Sequence, residues 1–68
     1  MTYQRLADLP NSVRDHLPRH AQEIYRAAFN NAWEEYEHDE ERAHRVAWAA
    51  VKEKYEKNEK TGKWEAKS

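Results

Sequence analysis

The sequence predicts a mainly helical fold of three helices, one short and two long. Two observations carry this reading: apolar residues recur at helical three-and-four spacing through two separate stretches, and prolines and a polar interval mark where one helix ends and the next begins. A third bounds it, since 68 residues make room for one domain, 1–68, with an economical core, and chains of this size bury only about 60% of the surface their unfolded form exposes.

The first helix is expected over 9–16. Asp8-Leu9-Pro10 reads as a start, because Asp accepts bonds from free backbone N–H groups and Pro is tolerated in a first turn. Val13 and Leu17 face inward from it, and Pro18 stops it by forcing the preceding residue out of the helical region.

The second helix is expected over 18–37. Ala21, Ile24, Tyr25, Ala28, Phe29, Ala32, Trp33 and Tyr36 follow one face without a miss. The inter-helix turn falls near His38 and Asp39. The third helix is expected over 40–57, with Asp39 as N-cap, Glu40 and Glu41 favourable in its first turn, and Ala43, Val46, Ala47, Ala50, Val51 and Tyr55 as its apolar stripe. Trp48 falls off that stripe, so it is either core against the short first helix or part of a binding face. In the tail, Asn58 and Gly62 offer stop and turn chemistry and Trp64 is a candidate anchor. A small two-stranded sheet joining the termini, Thr2-Tyr3-Gln4 with Lys63-Trp64-Glu65, is the expected tie, held by packing on the helices since an isolated ribbon is marginal.

Function classes narrow quickly. The absence of cysteine removes disulfides, thiolate metal sites and thiol nucleophiles and points to the cytosol. No apolar run has the length of a signal peptide or a membrane span. No nucleophile, base and oxyanion donors come together, so the chain is expected not to be an enzyme. Aromatics at 12% with 37% charged residues and a net charge of −1 describe a folded globule with a charged skin rather than a general nucleic-acid binder.

Three sets of residues remain as candidates. Glu34, Glu35, Glu37, Asp39, Glu40 and Glu41 supply oxygen ligands that suit weak calcium or magnesium binding; their bland alternative is a solvated helix end. No cofactor is expected beyond such an ion. His44, Trp48 and Lys52 on the third helix form a partner-binding candidate centred on the exposed part of Trp48, with a protein partner and a monomeric chain expected. Lys52, Lys54, Lys57, Lys60 and Lys63, on the third helix and tail, suit phosphates of nucleic acid, although Glu53, Glu56, Glu59 and Glu65 break up their field. The histidines at 16, 20, 38 and 44 supply too few ligands at useful spacing for a zinc or copper site.

The runs Asn-x-Ala-Trp-x-x-Tyr, at 30–36, and Ala-Trp-Ala-Ala-Val-Lys, at 47–52, with Asp8-Leu9-Pro10, Leu17-Pro18, Ile24-Tyr25 and Trp64, make the chain similar to the ChaB family over nearly its whole length. That resemblance implies about three helices with a small sheet, likened to part of a cyclin-box domain. It also implies a regulatory or adaptor role linked to a calcium/sodium–proton antiporter, and weak divalent-ion binding by the loop between the long helices. The corresponding interval here, Glu34 to Arg42, is shorter than in enterobacterial members. Other members, viral ones among them, are described as DNA-binding, which keeps the lysine set open as an alternative.

Overall fold

The computed structural model describes residues 2–67 and is mainly helical. A 3-10 turn over Leu6–Asp8 leads into α1 (Asn11–His16), α2 (Arg19–Glu35) and α3 (Glu40–Lys54), followed by β1 (Tyr55–Lys57) and β2 (Trp64–Ala66).

The first helix begins later than its expected residue 9. Leu9 is extended, at φ −66° and ψ 153°, because it precedes Pro10 and the proline ring excludes the helical region there. Pro10 itself takes the N-cap position. Asp8 caps nothing in α1; it lies in the 3-10 turn beside Arg5, 3.9 Å away. Leu17 is extended before Pro18 for the same reason and ends α1, and α2 starts one residue after that proline.

The two long helices enclose the core. Ala21, Tyr25, Phe29 and Ala32 of α2 meet Ala43, Ala47 and Val51 of α3, and Leu9, Val13 and Leu17 close one end. Small alanines on α3 opposite large rings on α2 let the backbones approach while the rings fill the space. Tyr36, the last residue of the α2 stripe, lies past the helix end and is 36% exposed; the Arg42 guanidinium covers its ring at 4.9 Å.

The turn between these helices is a Schellman-type closure. The His38 N–H donates to the Trp33 carbonyl at 2.8 Å, and the His38 ring stacks on Trp33, with centroids 5.1 Å apart. Asp39 then caps α3, its carboxylate accepting from the Arg42 N–H at 3.2 Å. Closure places two non-glycine residues in the left-handed region, Glu37 at φ 55° and His38 at φ 66°, which costs a residue with a Cβ about 1–2 kcal/mol. Glu37→Gly is therefore expected to raise stability by about 1 kcal/mol. The check is a higher urea midpoint with unchanged slope; an unchanged or lower midpoint would count against the strained turn.

The small sheet is present but joins different segments from those expected. β1 and β2 pair antiparallel, Tyr55 opposite Ala66, Glu56 opposite Glu65 and Lys57 opposite Trp64, so the tail folds back on the end of the third helix. That helix accordingly stops at Lys54, not at 57. Asn58 builds the turn: its side-chain oxygen accepts from the Lys60 and Thr61 N–H groups, at 2.9 and 3.3 Å. Gly62, at φ 75°, closes it by donating to the Asn58 carbonyl at 2.7 Å. The Lys67 N–H donates to the Lys54 carbonyl at 3.0 Å, satisfying a carbonyl that the last helical turn leaves open. The N-terminal segment pairs with a side chain instead of a strand. The Tyr3 N–H donates to Asn30 Oδ1 at 2.9 Å and Asn30 Nδ2 donates to the Tyr3 carbonyl at 2.8 Å, leaving no backbone group of Tyr3 for a strand partner.

Candidate functional site

The off-stripe residue Trp48 marks the site. It is half-buried, with its inner edge against Tyr25 (ring centroids 5.5 Å apart, T-shaped) and Trp64 beside it at 5.3 Å, tilted by 38°. Of the two roles open to Trp48, each describes part of it, since the indole is packed on the core and also lines a surface cleft.

That cleft has a volume of about 310 Å³, near the lower end of the roughly 300–1,000 Å³ usual for ligand sites. Three elements converge on it. Trp48 and Lys52 come from α3, Lys57 and Trp64 from the ribbon with Gly62 of its turn, and Ser12 and His16 from α1. The ribbon register explains the ribbon's share. Lys57 stands directly opposite Trp64, so the two side chains leave the same face, while Glu56 and Glu65 are paired on the other. The only formal charges lining the cleft among the described residues are thus the ammonium groups of Lys52 and Lys57.

The structure brings the His44, Trp48 and Lys52 set together. Trp48 and Lys52 line the cleft, and His44 meets the Trp48 ring edge-on at 6.2 Å. His44 is also fixed from behind, its Nδ1 lying 2.7 Å from the hydroxyl of fully buried Tyr25. Burial first, and then the nearby Tyr3 and Glu40, push the Tyr25 phenol up to about 12, so the hydroxyl keeps its proton at neutral pH and meets the ring nitrogen as donor or acceptor according to the His44 tautomer.

The lysine set is divided. Only Lys52 and Lys54 belong to the third helix, Lys57 is in β1, Lys60 lies in the turn and Lys63 follows it. Lys52 and Lys57 face the Trp48 cleft, while Lys54 lines a second surface hollow beside His20, Glu53 and Tyr55. The strand that ends the helix breaks the spacing on which a continuous basic stripe depends.

The acidic set is spread out by the turn. Glu34 lies 3.8 Å from His38, Glu41 is bonded to Arg45 at 3.1 Å, and Asp39 caps α3. Glu35, Glu37 and Glu40 are exposed. Among the described residues no three His, Asp or Glu side chains stand close enough together to hold a metal ion.

The contributions of Ser12, His16, Lys57 and Trp64 to this cleft were not visible as a set in the sequence. The usable signal was the Asn58 to Gly62 turn: a glycine-containing turn between two short runs is a hairpin signature, and pairing across it sets Lys57 beside Trp64.

The fold and this cleft define a small three-helix protein closed by a β-ribbon, with a tryptophan-walled basic cleft where ribbon and helices meet. The ChaB family model matches residues 9–67, and the chain belongs to the ChaB family. It is 48% identical to the "Putative cation transport regulator ChaB" of Escherichia coli K12, over 77 aligned positions covering 100% of both chains. The proteins of the same name in Escherichia coli O157:H7 and Shigella flexneri match equally well. A solution NMR structure of a protein of that name superposes with a TM-score of 0.86 at 49% identity, covering 97% of this chain and 99% of the other. The alignment is longer than this chain's 68 residues, so the relatives carry residues without a counterpart here.

Proposed function

We propose that this protein is a non-enzymatic, cytoplasmic regulator of cation transport that acts by docking on a partner protein, a cation–proton antiporter, through the cleft that Trp48 and Trp64 wall. The full-length similarity to relatives named as cation transport regulators carries this reading. The cleft supplies the place. Aromatic side chains that are half-exposed and held rigidly by neighbours are the usual anchors of protein interfaces, and His44, Trp48 and Lys52 present such a surface along one helix face. No helix of the described residues is long and apolar enough to cross a membrane, so contact with a transporter would be made from its surface.

The test pairs sodium and calcium efflux from cells lacking the protein with site-directed photocrosslinking from position 52. Altered efflux that the intact chain restores, with crosslinks to a cation–proton antiporter, is the expected result. Normal fluxes and no crosslinked transport protein would remove the reading.

A further inference from the structure

The cleft's walls and its charge specify more than an anonymous partner. Trp48 and Trp64, 5.3 Å apart and tilted by 38°, form an apolar corner for a flat or branched side chain. Lys52 and Lys57 line the same cleft as that corner, the first on a helix and the second on a strand. Ser12 adds a hydroxyl from α1, and His16, whose Nδ1 lies 2.8 Å from the Ser12 carbonyl, adds the edge of its ring. No carboxylate lines this cleft among the described residues, although the chain carries 13 acidic residues and a net charge of −1. The ribbon achieves the separation, since Glu56 and Glu65 share its outer face and Lys57 and Trp64 its inner one. The second hollow, which also has lysines, includes Glu53 and lacks an indole.

We infer that the cleft binds an acidic peptide segment of a partner protein: one aromatic or leucine side chain packs on the apolar wall that Trp48 and Trp64 form together, and flanking carboxylates meet Lys52 and Lys57. This rests on the docking reading above and adds the chemistry of the partner. Complementary charge around an apolar anchor gives such a site its orientation and selectivity. Nucleic acid suits the cleft less well. Two ammonium groups neutralise about two phosphates, far fewer than the six to ten contacts of a typical nucleic-acid interface, and the carboxylates on the outer ribbon face would repel a continuing strand.

The test uses the intact chain and three acetylated hexapeptides sharing a central Leu-Phe pair, flanked by two Asp on each side, by two Ser, or by two Lys. Binding is followed by indole fluorescence and by the side-chain N–H signals of Trp48 and Trp64. The expected result is that the Asp peptide shifts both indoles and binds at least about tenfold more tightly than the Ser peptide. The Lys peptide should not bind. Lys52→Glu with Lys57→Glu, two exposed positions, should remove the preference for Asp and leave the thermal unfolding midpoint close to that of the parent. If Asp and Ser peptides bind equally and the double variant changes nothing, the acidic class is wrong while docking at the cleft stands. If no peptide moves either indole signal, both the acidic segment and docking at this cleft fail. Tighter binding of a decathymidylate than of the Asp peptide, lost in the double variant, would replace the peptide by nucleic acid.

Discussion

Phe29→Ala is expected to destabilise this protein by about 3–5 kcal/mol, enough to leave much of the chain unfolded near physiological temperature. Stability of about 0.05–0.15 kcal/mol per residue puts the whole protein in the range of roughly 3–10 kcal/mol, so this one truncation removes a large share. Phe29 is 2% exposed and touches three other rings: Tyr3 at 4.8 Å, Tyr25 at 6.0 Å and Trp33 at 6.1 Å between centroids. Through these it connects the N-terminal segment, the core of α2 and the stacked His38 that closes the turn. An alanine leaves a cavity bordered by stiff rings that cannot collapse into it, which is the costly case. Thermal unfolding followed by near-ultraviolet circular dichroism gives the comparison, with Phe29→Leu as the control that keeps most of the volume. A midpoint for Phe29→Ala within a few degrees of the parent would mean that the ring chain does not hold the core together.

The same ring chain shows which parts of the fold the sequence made legible. Ala21, Tyr25, Phe29 and Ala32 are buried, as their spacing predicts, because a helix face is set by local geometry and each residue votes for the same direction. The cap at Asp39 was equally readable, since a cap is decided within four residues. The start of α1 was misplaced although its cause was local too: the rule that ends that helix at Leu17 also keeps Leu9 out of it. The ribbon was readable only in part. Its strands have three residues each, too few for alternation to register, and Glu-Lys-rich runs fit a helix as well as a strand. What settles the partner choice is distant in sequence. Asn30 takes both backbone groups of Tyr3, and His20 Nδ1 lies 3.0 Å from the hydroxyl of buried Tyr55, anchoring β1 against the start of α2. The candidate site followed the same division. Trp48 stood out in the sequence because it falls off the α3 stripe, with His44 and Lys52 as neighbours on the same helix, whereas Lys57, Trp64 and His16 join them only through the hairpin and the packing of α1.

The second large effect is a loss of stability in alkali, of which Tyr25→Phe should remove the Tyr25 share. Tyr25 is fully buried, and its phenol is pushed up from 10.0 to about 12, by burial first and then by Tyr3 and Glu40. The sign follows from proton counting. Between pH 10 and 12 the unfolded chain has released this proton and the folded chain still holds it, so the folded state binds more protons and stability falls as pH rises. The contribution is intact below pH 10 and is lost through that window, reaching on the order of 2–3 kcal/mol for a shift of this size. Urea midpoints at pH 9, 10, 11 and 12 for the parent and for Tyr25→Phe isolate it, because every other group, Tyr3 included, is common to both chains and drops out of the difference. At neutral pH the variant is expected to lose only about 0.5–1.5 kcal/mol: the phenol's bond to His44 Nδ1, 2.7 Å long, disappears, but His44 is exposed and water can take the phenol's place. The two stability curves should therefore approach one another above pH 10 and cross before pH 12 if the alkaline loss exceeds the neutral one. Parallel curves across the whole range would show that the Tyr25 hydroxyl ionises in the folded state as readily as in the unfolded chain. In that case the wall of rings behind Trp48 is wetter than the packing of Tyr25 between Phe29, His44 and Trp48 allows.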